Sequence, residues 1–150
     1  MTQEDKQLLL KDLCARLPYN VIVEYGVKHE GRDLGEKKGK LTGRMLDSYF
    51  YNITVGLSQV YSIKPYLRPM SSMTEEERIK IQLLCDGVEI DDEGNCFHYT
   101  TIYSFVESFK NVDFDAIDWL LAHHFDFRGL IPLGLAIEVT EENNPYKDKL

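Results

Sequence analysis

The chain has 150 residues, 43% of them hydrophobic and 28% charged, a composition that excludes a disordered or fibrous protein and fits an ordinary globular one. A chain of this length is expected to form one domain and to bury roughly two-thirds of its unfolded surface, so its core needs neither disulfides nor a metal. The formal net charge of −8 excludes a general attraction for polyanions.

That charge is unevenly spread. Residues 1–73 hold 11 Lys and Arg against 8 Asp and Glu, whereas residues 74–150 hold 6 against 17, so a nucleic-acid contact would be confined to the N-terminal half. The start, MTQEDKQLLLKDL, sets acids ahead of a short apolar run and resembles neither a signal peptide nor a membrane span. A cytoplasmic protein without membrane association is expected. Cys14, Cys85 and Cys96 form no paired spacing and are read as reduced thiols serving as small core residues.

In chain order, Thr2 and Asp5 make an approximate capping box, and Leu9, Leu10, Leu13 and Leu17 recur at helical spacing until Pro18, which predicts a helix over about 3–16. The period then changes. YNVIVEYGV, KLTGRML, YFYNITVG and SIKPYLR are short runs rich in Val, Ile, Tyr and Thr, which predict four strands, with LSQV as a single helical turn before the last. Together they suggest a small antiparallel barrel of the SH3-like, Sm or Tudor kind.

Thr74 and Glu77 are spaced as a capping box before EERIKIQLLCDG, so a third-quarter helix closed by Gly87 is expected. VEIDDEGNCFHY alternates around DDEGN and reads as a hairpin. Ile102, Phe105, Val106 and Phe109 form one helical stripe; Asp113 is placed to cap another made by Phe114, Ile117, Leu120 and Leu121. LIPLGLAIEV reads as a turn and a short strand, and TEENNPYKDKL as a polar tail expected to fray. The fold class is therefore α+β: one domain over 1–150, β-rich to residue 73, helical with a hairpin over 74–140, and a tail over 141–150.

Motifs with tempting chemistry fail on spacing. GEKKGKLT has three residues between its glycines where a phosphate-binding loop has four, and Leu41 follows Lys40 where a hydroxyl should, so it reads as a mobile basic hairpin loop. Aligning Gly94 with the sixth position of a calcium loop puts Thr100 where the bidentate carboxylate belongs. Cys85, Cys96 and His98 lack the tight paired knuckles of structural zinc sites. No cofactor and no metal are assigned.

Two segments hold the candidate binding residues. In IKPYLRPMSSM, Pro65 and Pro69 bracket an expected edge strand offering Lys64, Tyr66 and Arg68. In LLAHHFDFRGLI, His123 and His124 point about 100° apart on a helix, which fits a helix end braced by His123, His124, Asp126 and Arg128; a histidine beside a carboxylate is also a credible general base.

LLKDLCARLPY, IKPYLRPMSSMTEEE and WLLAHHFDFRGLIPLGLAIE, in that order, resemble a group of short proteins with no assigned activity that recur in gut Bacteroidetes genomes and in their phages and mobile elements. The resemblance covers roughly 45 residues. It implies a phage or mobile-element origin and brings no catalytic residues with it. The function expected is a non-enzymatic interaction or accessory module with a protein partner. Two alternatives stand: nucleic-acid binding through Lys37, Lys38, Lys40 and Arg44, and a small hydrolase or metal-dependent enzyme using His124 and Asp126.

Overall fold

The computed structural model describes residues 1–54, 56–84 and 114–147. It is a mixed α+β fold in which two compact units share the chain: residues 1–67 with 130–150, and residues 68–129.

The first unit opens with helix α1, Gln3–Arg16, as the sequence predicts. Thr2 Oγ1 accepts from the Asp5 amide at 3.0 Å and Asp5 accepts from the Thr2 amide at 3.1 Å, which satisfies two of the donors a helix start leaves open. Its inward face is not the expected row of leucines alone. Leu9, Asp12, Leu13 and Arg16 are the buried positions, spaced i, i+3, i+4, i+7, while Cys14 is exposed and not a core residue.

Strands β1 (Ile22–His29), β2 (Arg32–Lys40), β3 (Ser58–Leu67) and β4 (Ile137–Glu138) form a curled four-stranded sheet in the order β2-β1-β3-β4. β1 pairs antiparallel with β2 and β3, and β4 joins β3 in parallel. Register shifts near Gly26 in both antiparallel ladders are bulges, which add twist and bend the sheet. Its inner face supplies Val23, Ile63 and Leu67 to a core completed by Leu9 and Leu13 of α1, Leu46, and Leu130 and Leu135.

Four expectations in this region are corrected. KLTGRML and YFYNITVG do not form the expected strands: helix α2 spans Gly43–Tyr51 and takes in most of the first segment and the start of the second, capped by Thr42, whose hydroxyl accepts from the Met45 amide at 3.3 Å. Aromatic residues gave this segment a β-like composition, but Met45, Leu46, Tyr49 and Phe50 repeat at helical spacing and pack on the core. The second strand is instead Arg32–Lys40, the segment read as a mobile basic loop. Its side chains are almost all exposed, so no apolar alternation marks it; backbone pairing with β1 holds it in place. LSQV is no helical turn, because Ser58 already begins β3.

β3 is also an interior strand and not an edge. The Leu41 amide donates to the Val21 carbonyl at 2.9 Å, which points odd-numbered β1 backbone groups at β2 and even-numbered ones at β3. Pro65, opposite Val23, therefore sits where the β1–β3 ladder requires no donor.

In the second unit, helix α3 spans Glu75–Leu84 behind the expected capping box, with the Thr74 amide donating to Glu77 at 3.0 Å and the Glu77 amide to Thr74 at 3.2 Å. It packs against helix α4, Phe114–Ala122, through a side that includes the fully buried Ile81, Ala116 and Leu120. The hairpin expected over 88–99, the helix expected over 102–109, Gly87, Asp113, Cys85, Cys96 and His98 lie outside the described residues.

The short strand near the C-terminus is present as β4, and the Val139 amide continues it by donating to the Leu67 carbonyl at 2.8 Å. The tail expected to fray is instead anchored over its described part, residues 140–147. Thr140 and Asn143 exchange hydrogen bonds in a closed turn, and the Tyr146 hydroxyl accepts from the Ile22 amide at 3.1 Å and donates to the Tyr66 carbonyl at 2.8 Å.

Candidate functional site

The two sequence segments singled out as binding regions meet different fates. Lys64 and Tyr66 belong to the sheet of the first unit, whereas Arg68 and His123–Arg128 belong to the second.

On the sheet, side chains of β1, β2 and β3 that alternate away from the core make a charged face. Glu24 lies opposite Lys38 on one side and Lys64 on the other, and Glu36 lies opposite Gly26. Glu24, Glu36, Ser62, Lys64 and Ile137 line a concavity of about 230 Å³. The Tyr66 hydroxyl donates to Glu24 at 3.1 Å, and Lys38 sets its ammonium 4.7 Å from the Tyr66 ring centre.

A hydrogen bond to Glu24, and then the repulsion of that neighbouring charge, hold the Glu36 carboxyl above the ordinary carboxylate range. Burial, reinforced by the hydrogen bond to Glu24, pushes the Tyr66 phenol up to about 12, so it remains a donor at neutral pH. The arrangement is a small bowl of mixed charge. Glu24 and Glu36, which complete it, escaped the sequence reading because neither forms a motif; only strand register brings them together.

The basic residues considered for nucleic acid do not share one surface. Lys37 and Lys38 are consecutive on a strand and point to opposite faces, Lys37 beside Tyr25 and Lys38 over Tyr66. Lys40 shares the charged face with Lys38, and Arg44 lies on α2.

In the second unit, Arg68 is a node. Its guanidinium makes two hydrogen bonds to the Glu77 carboxylate, at 2.7 and 2.8 Å, and lies 4.1 Å from the Phe125 ring centre. Its amide donates to the His124 carbonyl at 2.7 Å, and its carbonyl accepts from the Asp126 amide at 2.8 Å. Burial alone would raise the Glu77 carboxyl, but hydrogen bonds from Arg68 and the Thr74 amide outweigh it and hold that group below its usual range. One arginine thus fastens the start of α3 to the segment that leaves α4.

That segment ends its helix by a recognised backbone device. The Phe125 amide donates to the Leu120 carbonyl at 3.0 Å and the His124 amide to the Leu121 carbonyl at 3.1 Å, with His124 at φ 62°. Glycine usually fills this left-handed position. Buried Phe125 and Leu120 supply the apolar contact that accompanies the motif.

His123 is exposed, stacks on Trp119 with ring centres 4.1 Å apart, and donates from Nδ1 to the Trp119 carbonyl at 2.8 Å. His124 is half-buried, Asp126 is buried, and Arg128 lies over Phe127 at 4.8 Å. Among the described residues, no group of three or more His, Cys, Asp or Glu side chains could hold a metal ion, and no helix is long and apolar enough to cross a membrane.

The chain matches no family model, and searches among curated proteins and solved structures return no match.

Proposed function

We propose that the protein is a non-enzymatic interaction module of a phage or mobile element, and that it binds a protein partner along the outer edge of β2 and the charged sheet face beside it. In this reading the curled sheet serves as an SH3-like platform.

The observation that carries the proposal is the state of that edge. Because odd-numbered β1 groups pair with β2, the backbone N–H and C=O groups of Glu36, Lys38 and Lys40 point away from β1, and among the described residues no strand pairs with them. An extended segment of another protein can add there as a further strand, with main-chain bonds supplying affinity and side-chain pockets specificity. The adjoining face mixes Glu24 and Glu36 with Lys38 and Lys64, which suits a protein surface better than a polyanion. Arg68, tied to Glu77 and Phe125, serves the fold.

The test is recovery of partners by the tagged full chain from host lysate, with and without nuclease. Protein recovered in both arms, and lost with Lys38→Pro but not with Lys38→Ala, is the expected outcome, since proline removes the outward N–H. Recovery that disappears with nuclease and with rising salt would transfer the function to nucleic-acid binding.

A further inference from the structure

A second concavity in the first unit carries an inference about the partner. It lies between α2 and the bulged ends of β1 and β3, holds about 200 Å³, and is lined by Val27, Arg44, Met45, Ser48, Ser58, Gln59 and Val60. Its uncharged polar side chains are already engaged: the Ser48 hydroxyl accepts from the Val60 amide at 2.8 Å and pins α2 to the sheet, Ser58 is hydrogen-bonded to His29 at 2.7 Å, and Gln59 donates to Asn52 at 3.2 Å. The cavity wall is consequently apolar. The register shift between Gly26 and Val27 lies beside it, where a bulge bends the paired strands.

Two further features border it. Arg44, in the first turn of α2, is exposed and makes no hydrogen bond or ion pair among the described residues. Tyr51, Ile53 and Leu57, which precede the lining residues of β3 in the chain, are exposed by 61%, 55% and 62%. Large apolar side chains exposed together beside an apolar hollow are the usual composition of a docking surface. The volume decides the size of the guest: clefts for whole small molecules run from about 300 to 1,000 Å³, so this one suits a single anchoring side chain.

We propose that this hollow seats an aromatic or large aliphatic side chain of a protein segment in which the neighbouring residue is Asp or Glu, whose carboxylate pairs with Arg44. Charge complementarity selects the acidic neighbour, because Arg44 is a cation at the rim of an apolar pocket. The assignment rests on the interaction reading above and names the chemistry of the partner.

Titration of the ¹⁵N-labelled full chain with the capped tripeptide Ac-Asp-Phe-Asp-NH₂ tests it. The amides of Val27, Met45, Ser48 and Val60 are expected to shift at millimolar peptide. Ac-Lys-Phe-Lys-NH₂ should bind at least fivefold more weakly, and Ac-Asp-Ala-Asp-NH₂ should cause no shift there. Arg44→Gln, at an exposed position, should keep the melting temperature and lose the preference for the acidic peptide. Equal binding of acidic and basic peptides, shifts mapping elsewhere, or an unchanged preference in Arg44→Gln would overturn the assignment. So would concentration-dependent shifts of the same amides without peptide, which would give the hollow to a second copy of the chain. The two proposals fail separately: if the peptide does not bind while Lys38→Pro still abolishes partner recovery, the hollow is wrong and the module stands. If the peptide binds as expected but lysate yields only nuclease-sensitive material, the hollow stands and the module falls.

Discussion

Each compact unit contains an arginine gripped by one carboxylate through two hydrogen bonds, and the two grips differ in their relation to water. In the first unit Arg16 meets Asp12 at 2.6 and 3.1 Å with both side chains fully buried. In the second, Arg68 meets Glu77 at 2.7 and 2.8 Å with side chains 25% and 18% exposed. The geometry is nearly shared, yet the energetic meaning is not. A buried pair is kept because losing either partner strands a charge, whereas a partly solvated one is retained for what it holds together. Arg68 holds together a helix start, an aromatic ring and a two-stranded backbone contact.

The largest expected effect comes from splitting the buried pair. Arg16→Met should cost about 3–5 kcal/mol in urea unfolding, because the buried Asp12 carboxylate loses both hydrogen bonds from the guanidinium, while the double variant Asp12→Leu/Arg16→Met should recover most of that loss. A double variant no better than the single one would erase the distinction between the two units.

A smaller effect tests the anchor that closes the first unit. Tyr146→Phe removes the hydroxyl lying between the Ile22 amide and the Tyr66 carbonyl, and should cost about 1–3 kcal/mol with faster hydrogen exchange at Ile22. Unchanged exchange at Ile22 would mean that the tail only rests on the sheet. Burial, chiefly, pushes the Tyr146 phenol well above its ordinary range, so the hydroxyl keeps its proton at any working pH and this contribution should be flat across the neutral region.

The smallest effect sharpens the other side of the comparison. The Glu77 carboxyl titrates below its ordinary value in the folded protein, so its contribution is complete above the unfolded glutamate pKa and disappears as pH falls through the lowered folded value. Arg68→Ala should lower stability by about 1 kcal/mol at pH 7 and flatten the acid limb of a melting-temperature profile. An acid limb as steep in Arg68→Ala as in the parent chain would show that Glu77 does not depend on this partner.

Local signals in the chain were legible where they act over three or four residues. The boundaries of α1, the Thr2–Asp5 and Thr74–Glu77 capping boxes, and the short strand after Gly129 follow from caps, spacing and breakers. The helix end at His123–Phe125 was also anticipated, although not that His124 would take the left-handed position usually left to glycine. α2 was missed because Tyr, Phe and Met serve either period, and Thr42 went unrecognised as its cap. β2 was missed for the opposite reason: a strand held by backbone pairing at an exposed edge needs no apolar alternation, and RDLGEKKGK has none.

The candidate sites show the same division. Lys64, Tyr66 and Arg68 were visible as a suggestive run, but Tyr66 lies on β3 and Arg68 just beyond its end, and the two ended in different settings. Tyr66 turned to Glu24, and Arg68 turned to Glu77. Glu24, Glu36 and the hollow beside Arg44 had no sequence signature, because each depends on register between strands or on a bulge that opens space.

By itself the amino-acid order determined the bounds of α1 and the start of α3, that the chain is a mixed α+β protein, and that no familiar phosphate, calcium or zinc motif is intact. Such features depend on side chains reaching their own backbone within a turn. Only the tertiary structure decided that Asp12 and Arg16 are interior, that a terminal tyrosine fastens two strands, and which face of the sheet is charged. Burial and register are set by residues dozens of positions away, and the free energy of a polar group follows what surrounds it more than what adjoins it in the chain.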